Sequence, residues 1–181
     1  MERTVLAVTG VPCTGKTTLS RELGERLRMK VLDLTREVEE RGLCESYDEM
    51  RDTKTVDVEL LRKHLSENTN GDMILDGLLS HHLDVTHVLV LRCNPLTLYQ
   101  RMVERGYSRE KIVENLEAEY TGVILYESLG LCENVLEVDN TSGADVEEIK
   151  EWLEHGGKPI LEVDWTPQFQ EALEITGSSP T

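Results

Sequence analysis

Gly10-Val11-Pro12-Cys13-Thr14-Gly15-Lys16-Thr17-Thr18 is the stretch on which the reading of this chain turns. Its first eight residues fit G-x-x-x-x-G-K-[ST] at every position. Glycines let such a loop wrap tightly, so that its N–H groups converge on phosphate oxygens. The helix that follows aims its positive end at the same anion. Lys16 is placed to reach the β- and γ-phosphates of ATP or GTP, and the Thr17 hydroxyl to coordinate Mg2+. A glycine turn that merely joins a strand to a helix is the bland alternative. Cys13 reads as a small loop residue, although a helix start can activate a thiol.

The context agrees with the motif. Thr4 to Thr9 (TVLAVT) reads as a buried strand, and Thr17 to Leu27 has helical spacing through Leu19, Leu23 and Leu27. Further strands are expected at Lys30 to Asp33, Asp72 to Leu75, His87 to Leu91 and Val135 to Val138. The apolar run HVLVL points to a sheet covered on both faces. Helices are expected at Leu34 to Arg41, at Val56 to Leu65, and from Asn94-Pro95 to about Arg105. Another begins at Ser108, with Ile112, Leu116, Tyr120 and Val123 as its stripe. The last begins at Ser142-x-x-Asp145 and ends at Gly156-Gly157. Gly42 to Thr55 reads as acidic and irregular, and Gly77 to Asp84 as a loop or short helix. Five strands alternating with helices predict a three-layer α/β fold around a parallel sheet.

The expected domain is residues 1–157. The extension 158–181 shows no clear pattern beyond a partly helical Gln168 to Leu173, with a mobile end. The chain has 181 residues, 39% of them apolar and 4% aromatic, which predicts one domain with an aliphatic core. Nineteen Lys and Arg face thirty-five Asp and Glu, giving a net charge of -16. Such a surface repels nucleic-acid phosphates on average, so direct, broad RNA or DNA binding is not expected, while a basic protein partner is electrostatically compatible with it. The charge also simply favours solubility. Cys13, Cys44, Cys93 and Cys132 have no metal-ligand spacing, and reduced thiols in a cytoplasm are expected. No apolar run reaches the ~20 residues that span a bilayer.

A phosphate loop needs a carboxylate at a nearby strand end to hold Mg2+. Asp76 ends the DMIL strand and is the first choice; Asp33 competes, and Asp76-Gly77 also reads as a plain turn pair. Phosphoryl transfer further needs positive charge over the moving group. Arg101, Arg105 and Arg109 flank a hinge at Gly106, which suits a closing lid or, equally, a solvated helix end.

Together these pieces resemble the adenylate kinase isoenzyme 6 family of P-loop nucleotide kinases and ribosome-assembly factors, in its archaeal form. The resemblance covers about residues 3 to 155. It rests on Thr17-Thr18, on Tyr47-Asp48-Glu49 with Val56-Asp57, and above all on Arg105-Gly106-Tyr107-Ser108 continuing through Lys111-Ile112, Glu114-Asn115 and Ala118-Glu119. That last segment argues against other small-molecule P-loop kinases. The resemblance implies ATP contacts at Cys13, Gly15, Lys16, Thr17, Thr18 and Arg105; with Gly10, Thr14 and Arg109 from the loop and lid patterns these make the expected nucleotide site, and Lys16, Arg105 and Asp76 the expected catalytic set. It implies a monophosphate-binding segment near 33–56, a lid near 104–114 and an adenine pocket near Asn140 to Gly143. It further implies phosphoryl transfer from ATP to AMP or another monophosphate, ATP hydrolysis, and a basic small-subunit ribosomal protein as partner. The family places a histidine two residues after the strand-end carboxylate, where this chain has Leu78; His81 and His82 follow later.

Overall fold

The computed structural model describes residues 3–48, 53–156 and 164–177. Five strands form the central sheet: β1 (Val5–Thr9), β2 (Lys30–Asp33), β5 (Met73–Asp76), β6 (His87–Arg92) and β7 (Val135–Asp139). Their order is β2-β5-β1-β6-β7, and every pairing is parallel. β1, which leads into the phosphate loop, therefore lies in the middle. The remaining strands, β3 (Cys44–Asp48) and β4 (Thr53–Val56), pair antiparallel as a separate ribbon. That ribbon replaces the irregular segment expected between Gly42 and Thr55. Its strands, CESYD and TKTV, are short, polar and paired only with each other, so no apolar alternation announces them.

Helices α1 (Lys16–Leu27), α2 (Leu34–Arg41), α3 (Val58–Asn68), α4 (Pro95–Glu104), α5 (Arg109–Thr121), α6 (Val123–Leu131), α7 (Val146–His155) and α8 (Thr166–Thr176) cover the sheet. Side chains of a strand alternate between faces, and β1 shows it. Leu6 and Val8 pack with α1 and α7 through Leu19, Leu23, Ile149 and Trp152. Ala7 packs on the opposite side with Leu98, Met102, Ile112, Leu116 and Leu173, from α4, α5 and α8. A third cluster joins α2 and α3 to β5 through Val38, Leu61, Leu65 and Leu75. Each fully buried Leu here contributes roughly 1.5–3 kcal/mol of burial free energy.

Caps set the helix starts. The Asn94 side chain accepts from Leu96 N at 2.9 Å ahead of Pro95, as the sequence predicts. Ser108 accepts from Lys111 N at 3.2 Å and opens α5. Asp145, rather than Ser142, caps α7.

The expected long stripe through Val123 does not form. Gly122 takes φ 65°, ends α5 and starts α6, and both Tyr120 and Val123 are exposed. α6 (VILYESLGL) is apolar on most sides, so helical periodicity gives no signal for it. α8 extends beyond the helical piece expected at Gln168 to Leu173, and it docks. Phe169, Ala172 and Leu173 are buried in the α4–α5 cluster, and the Phe169 ring stacks on Tyr120 at 4.2 Å. The expected mobile chain end, 178–181, lies outside the described residues. Among the described residues no helix is long and apolar enough to cross a membrane.

Candidate active site

Parallel strands bring their carboxyl ends to one edge, and ligands of open α/β sheets bind along it. β1 delivers the phosphate loop there. Gly10 leaves the strand at φ 141°, and a Cβ on it would lie 2.5 Å from Leu91 O on β6. Gly15 turns at φ 97°, where a Cβ would come within 2.6 Å of Asn140 Nδ2. A side chain at Gly10 would press on backbone, and one at Gly15 would displace the Asn140 amide and hold a backbone conformation that favours glycine. Cys13 holds φ 70° with a side chain present, a strained geometry of the kind that concentrates at functional loops.

The helix after Gly15 starts without a side-chain cap, so its first N–H groups remain directed into the loop. The Lys16 ammonium folds back over it, donating to Gly10 O and Val11 O, each at 2.9 Å. Burial pulls the Lys16 pKa down to about 8, against the opposing pull of Asp76. A lysine loses its charge as pH rises through its pKa. The free protein's affinity for a triphosphate is therefore expected to fall as pH rises through about 8, by one proton per site. Nucleotide titrations from pH 6.5 to 9.5 check this; an affinity flat across that range contradicts it. At saturating nucleotide the bound phosphates hold the proton on Lys16, so kcat should fall at higher pH than kcat/KM.

Asp76 closes β5 and is only 4% exposed. The Thr17 hydroxyl lies close enough to help hold its charge. Burial raises its pKa, while Thr17 and Lys16 lower it and Asp33 raises it further. Asp33 is its neighbour in the β2–β5 register, but Asp33 also caps α2, accepting from Arg36 N at 3.1 Å. Asp76 and Thr17 together offer hard oxygen donors in a pocket that disfavours unpaired negative charge. That chemistry fits Mg2+, which takes one or two protein oxygens and fills its remaining positions with water and phosphate.

Two side chains tie the loop to the segment after β7. Asn140 Nδ2 donates to Thr14 O at 2.8 Å. Arg101 bridges, with Nη1 on Cys13 O at 3.2 Å and Nη2 on Thr141 O at 2.8 Å. Arg101 thus braces the loop rather than capping a mobile lid. Arg105, at the C-cap of α4, is exposed; its charge acts on Lys16 and on the Tyr107 hydroxyl, which also lies near the Cys13 thiol. Burial and the Cys13 contact push the Tyr107 pKa up. Arg109 is not brought to the loop. Its Nη2 donates to Gly177 O at 2.6 Å, beyond the end of α8. Thr18 is exposed on the first turn of α1.

Behind the loop lies an ion cluster that the sequence does not reveal. Arg92, at the end of β6, pairs with Glu119 at 2.7 Å and with Glu137, all three buried. Arg92 Nη2 also donates to Glu119 O at 2.7 Å, and Glu119 Oε1 accepts from Cys93 N at 3.1 Å. Burial raises the pKa of both carboxyls against the pull of Arg92. His81, only 2% exposed, joins the start of the loop to α6. Its Nδ1 lies 3.1 Å from Thr9 Oγ1 and its Nε2 3.2 Å from Glu127 Oε2. Burial lowers the His81 pKa.

A central β1, a phosphate loop, and a buried strand-end carboxylate beside the loop lysine and threonine define a P-loop kinase of the nucleotide-kinase type. The chain belongs to the family described as "AAA domain", whose model matches residues 6–122, and to a group of archaeal relatives that it matches nearly end to end. One of these, "Putative adenylate kinase" of Methanocaldococcus jannaschii, is 39% identical over 176 residues, covering 94% of this chain and 97% of that protein. A Thermococcus kodakarensis protein of the same description is 41% identical over 174 residues, covering 93% and 97%. Shikimate kinase from Bacteroides thetaiotaomicron shares the fold, with a TM-score of 0.56 at 18% identity, over 84% of this chain and 99% of that one.

Proposed function

We propose that this protein transfers the γ-phosphoryl group of ATP to AMP or another nucleoside monophosphate. The observation that carries the reading is the Lys16 ammonium. It sits on the loop carbonyls beside Thr17 and Asp76, where triphosphate oxygens would displace those carbonyls as its partners. The description shared by the archaeal relatives supports the same reading.

In this reading the loop N–H groups from Gly10 to Thr18 bind the β-phosphate, and Lys16 bridges to the γ-phosphoryl group. Thr17 and Asp76 hold Mg2+, which supplies charge neutralisation at the phosphates. Arg105 swings from Tyr107 onto the transferring group as Gly106, at φ 72° with open space around it, absorbs the rotation. The monophosphate lies between the 33–56 segment and the loop, and the adenine of ATP lies against Asn140 to Gly143. We leave Arg109 outside the site, because closing over ATP would require it to give up its Gly177 contact.

The test is ADP formation from ATP and Mg2+ with AMP, GMP, CMP, UMP, shikimate or gluconate. ADP above the ATP-only control is expected with AMP or another monophosphate. No gain with any monophosphate, or a gain with shikimate or gluconate alone, overturns the reading.

The net charge of -16 favours a second role beside the first. That role is ATP hydrolysis coupled to a basic small-subunit ribosomal protein, as in small-subunit maturation. Recovery of such a protein in a pull-down, altered by ATP, is expected; recovery of no ribosomal species counts against it.

A further inference from the structure

Away from the loop Lys and the Mg2+ ligands, a turn and a helix converge on one point. The 3-10 turn Ser80–His82 carries His81 and His82, and α6 presents Glu127 to both. Glu127 Oε2 lies 3.2 Å from His81 Nε2 and 3.7 Å from His82 Nε2, and one ligand atom from each residue falls within 4.8 Å of the others. Four-coordinate zinc, with bonds near 2.1 Å, separates its ligands by about 3.4 Å. We propose that His81, His82 and Glu127 bind a divalent late-transition cation of the Zn2+ class, with water as the fourth ligand.

The hydrogen bonds around His81 favour this occupant. Thr9 Oγ1 donates its one proton to Leu78 O at 2.9 Å, so it accepts from His81 Nδ1–H. With its proton on Nδ1, given to Thr9, His81 leaves the Nε2 lone pair facing the Glu127 carboxylate. Two acceptors then oppose each other, and a cation between them resolves the clash. Metal-bound histidines are oriented by this same Nδ1–H to backbone or hydroxyl arrangement. Two imidazoles and one carboxylate suit zinc, cobalt or nickel rather than Mg2+, which prefers oxygen donors and retains its waters. The side chains of His82 and Glu127 are 33% and 47% exposed, so an ion can enter from solvent. Bound there, it would pin the turn after β5 to α6 and, through Thr9, the strand end that launches the phosphate loop.

The experiment uses chelator-treated full-length protein in excess Mg2+. Titration with Co2+ is expected to give one equivalent of an intense four-coordinate visible absorption, displaced by Zn2+. Zn2+ is also expected to raise Tm. His82→Ala and Glu127→Gln, both at solvent-accessible positions, should each weaken Zn2+ binding at least about tenfold and abolish the cobalt band. Asp76→Asn should keep the band. No cobalt band in the wild type overturns the site, leaving a plain histidine–carboxylate contact. Equal binding by wild type, H82A and E127Q also overturns it. So does a band that Asp76→Asn removes, since the ion would then sit at the loop.

Discussion

Lys16→Met lowers kcat/KM for phosphoryl transfer by about 100- to 1,000-fold, the range found when one preorganised charge or donor is withdrawn from a developing anion. Methionine keeps the unbranched chain and removes the ammonium. The same substitution should cost little stability. Burial already works against the Lys16 charge, pulling its pKa to about 8, and an uncharged side chain at this position escapes that penalty. The two donated bonds, to Gly10 O and Val11 O, are lost in exchange. Steady-state assays with ATP and AMP, beside urea denaturation of the same preparations, separate the effects. A variant that loses activity only because it unfolds would contradict the role given to Lys16. So would one that retains more than about a tenth of wild-type kcat/KM.

The second large effect concerns the folded state. Arg92→Met is expected to destabilise the protein by about 3–5 kcal/mol near neutral pH, the usual cost of leaving buried charge unpaired. That is a large share of the roughly 5–15 kcal/mol available to a typical domain. Arg92 is the cation between Glu119 and Glu137, which are 2% and 1% exposed. Without it both carboxyls are pushed further toward their protonated forms. A carboxyl whose folded pKa exceeds its unfolded one binds more protons in the folded state, so stability falls as pH rises between the two values. The deficit of Arg92→Met should therefore shrink toward pH 5 and grow toward pH 8. Urea denaturation of wild type and variant at both pH values measures it. A deficit independent of pH would assign the loss to packing alone. Adding Glu119→Gln and Glu137→Gln to Arg92→Met should recover part of the stability at pH 8.

These two residues mark how far the sequence could be read. Lys16 lies inside a contiguous pattern whose chemistry is local, and the strand before it and helix after it carry their own periodicities. Asp76 was legible for a similar reason: a carboxylate at the inner end of an apolar strand is costly to bury unless a cation or donor meets it. The central sheet followed from the same kind of signal, five apolar runs separated by helical spacing. Arg92 was not legible, because its partners lie 27 and 45 residues away and only the fold brings them together. Glu119 appeared only as part of a family-like segment; the structure shows it reaching back under the sheet edge to Arg92. Arg109 and Gly177 are 68 residues apart, and nothing local connects a lid arginine to a C-terminal helix. The β3–β4 ribbon and α6 escaped for opposite reasons, one too polar and the other too uniformly apolar to show a period.

The paired tethers of Asn140 and Arg101 have a consequence for how a nucleotide is measured. Asn140 holds Thr14 O, and Arg101 spans Cys13 O and Thr141 O. In the proposed reading the first of these segments grips phosphates and the other flanks the base. Locked together, they act as a caliper with its jaws set at one opening, so donor length is gauged by rigid parts before any lid moves. In the proposed reading motion is left to Arg105 and the turn at Gly106. In that reading the donor is gauged by fit between the jaws first, and the change of shape that follows is the swing of Arg105 over the group to be transferred.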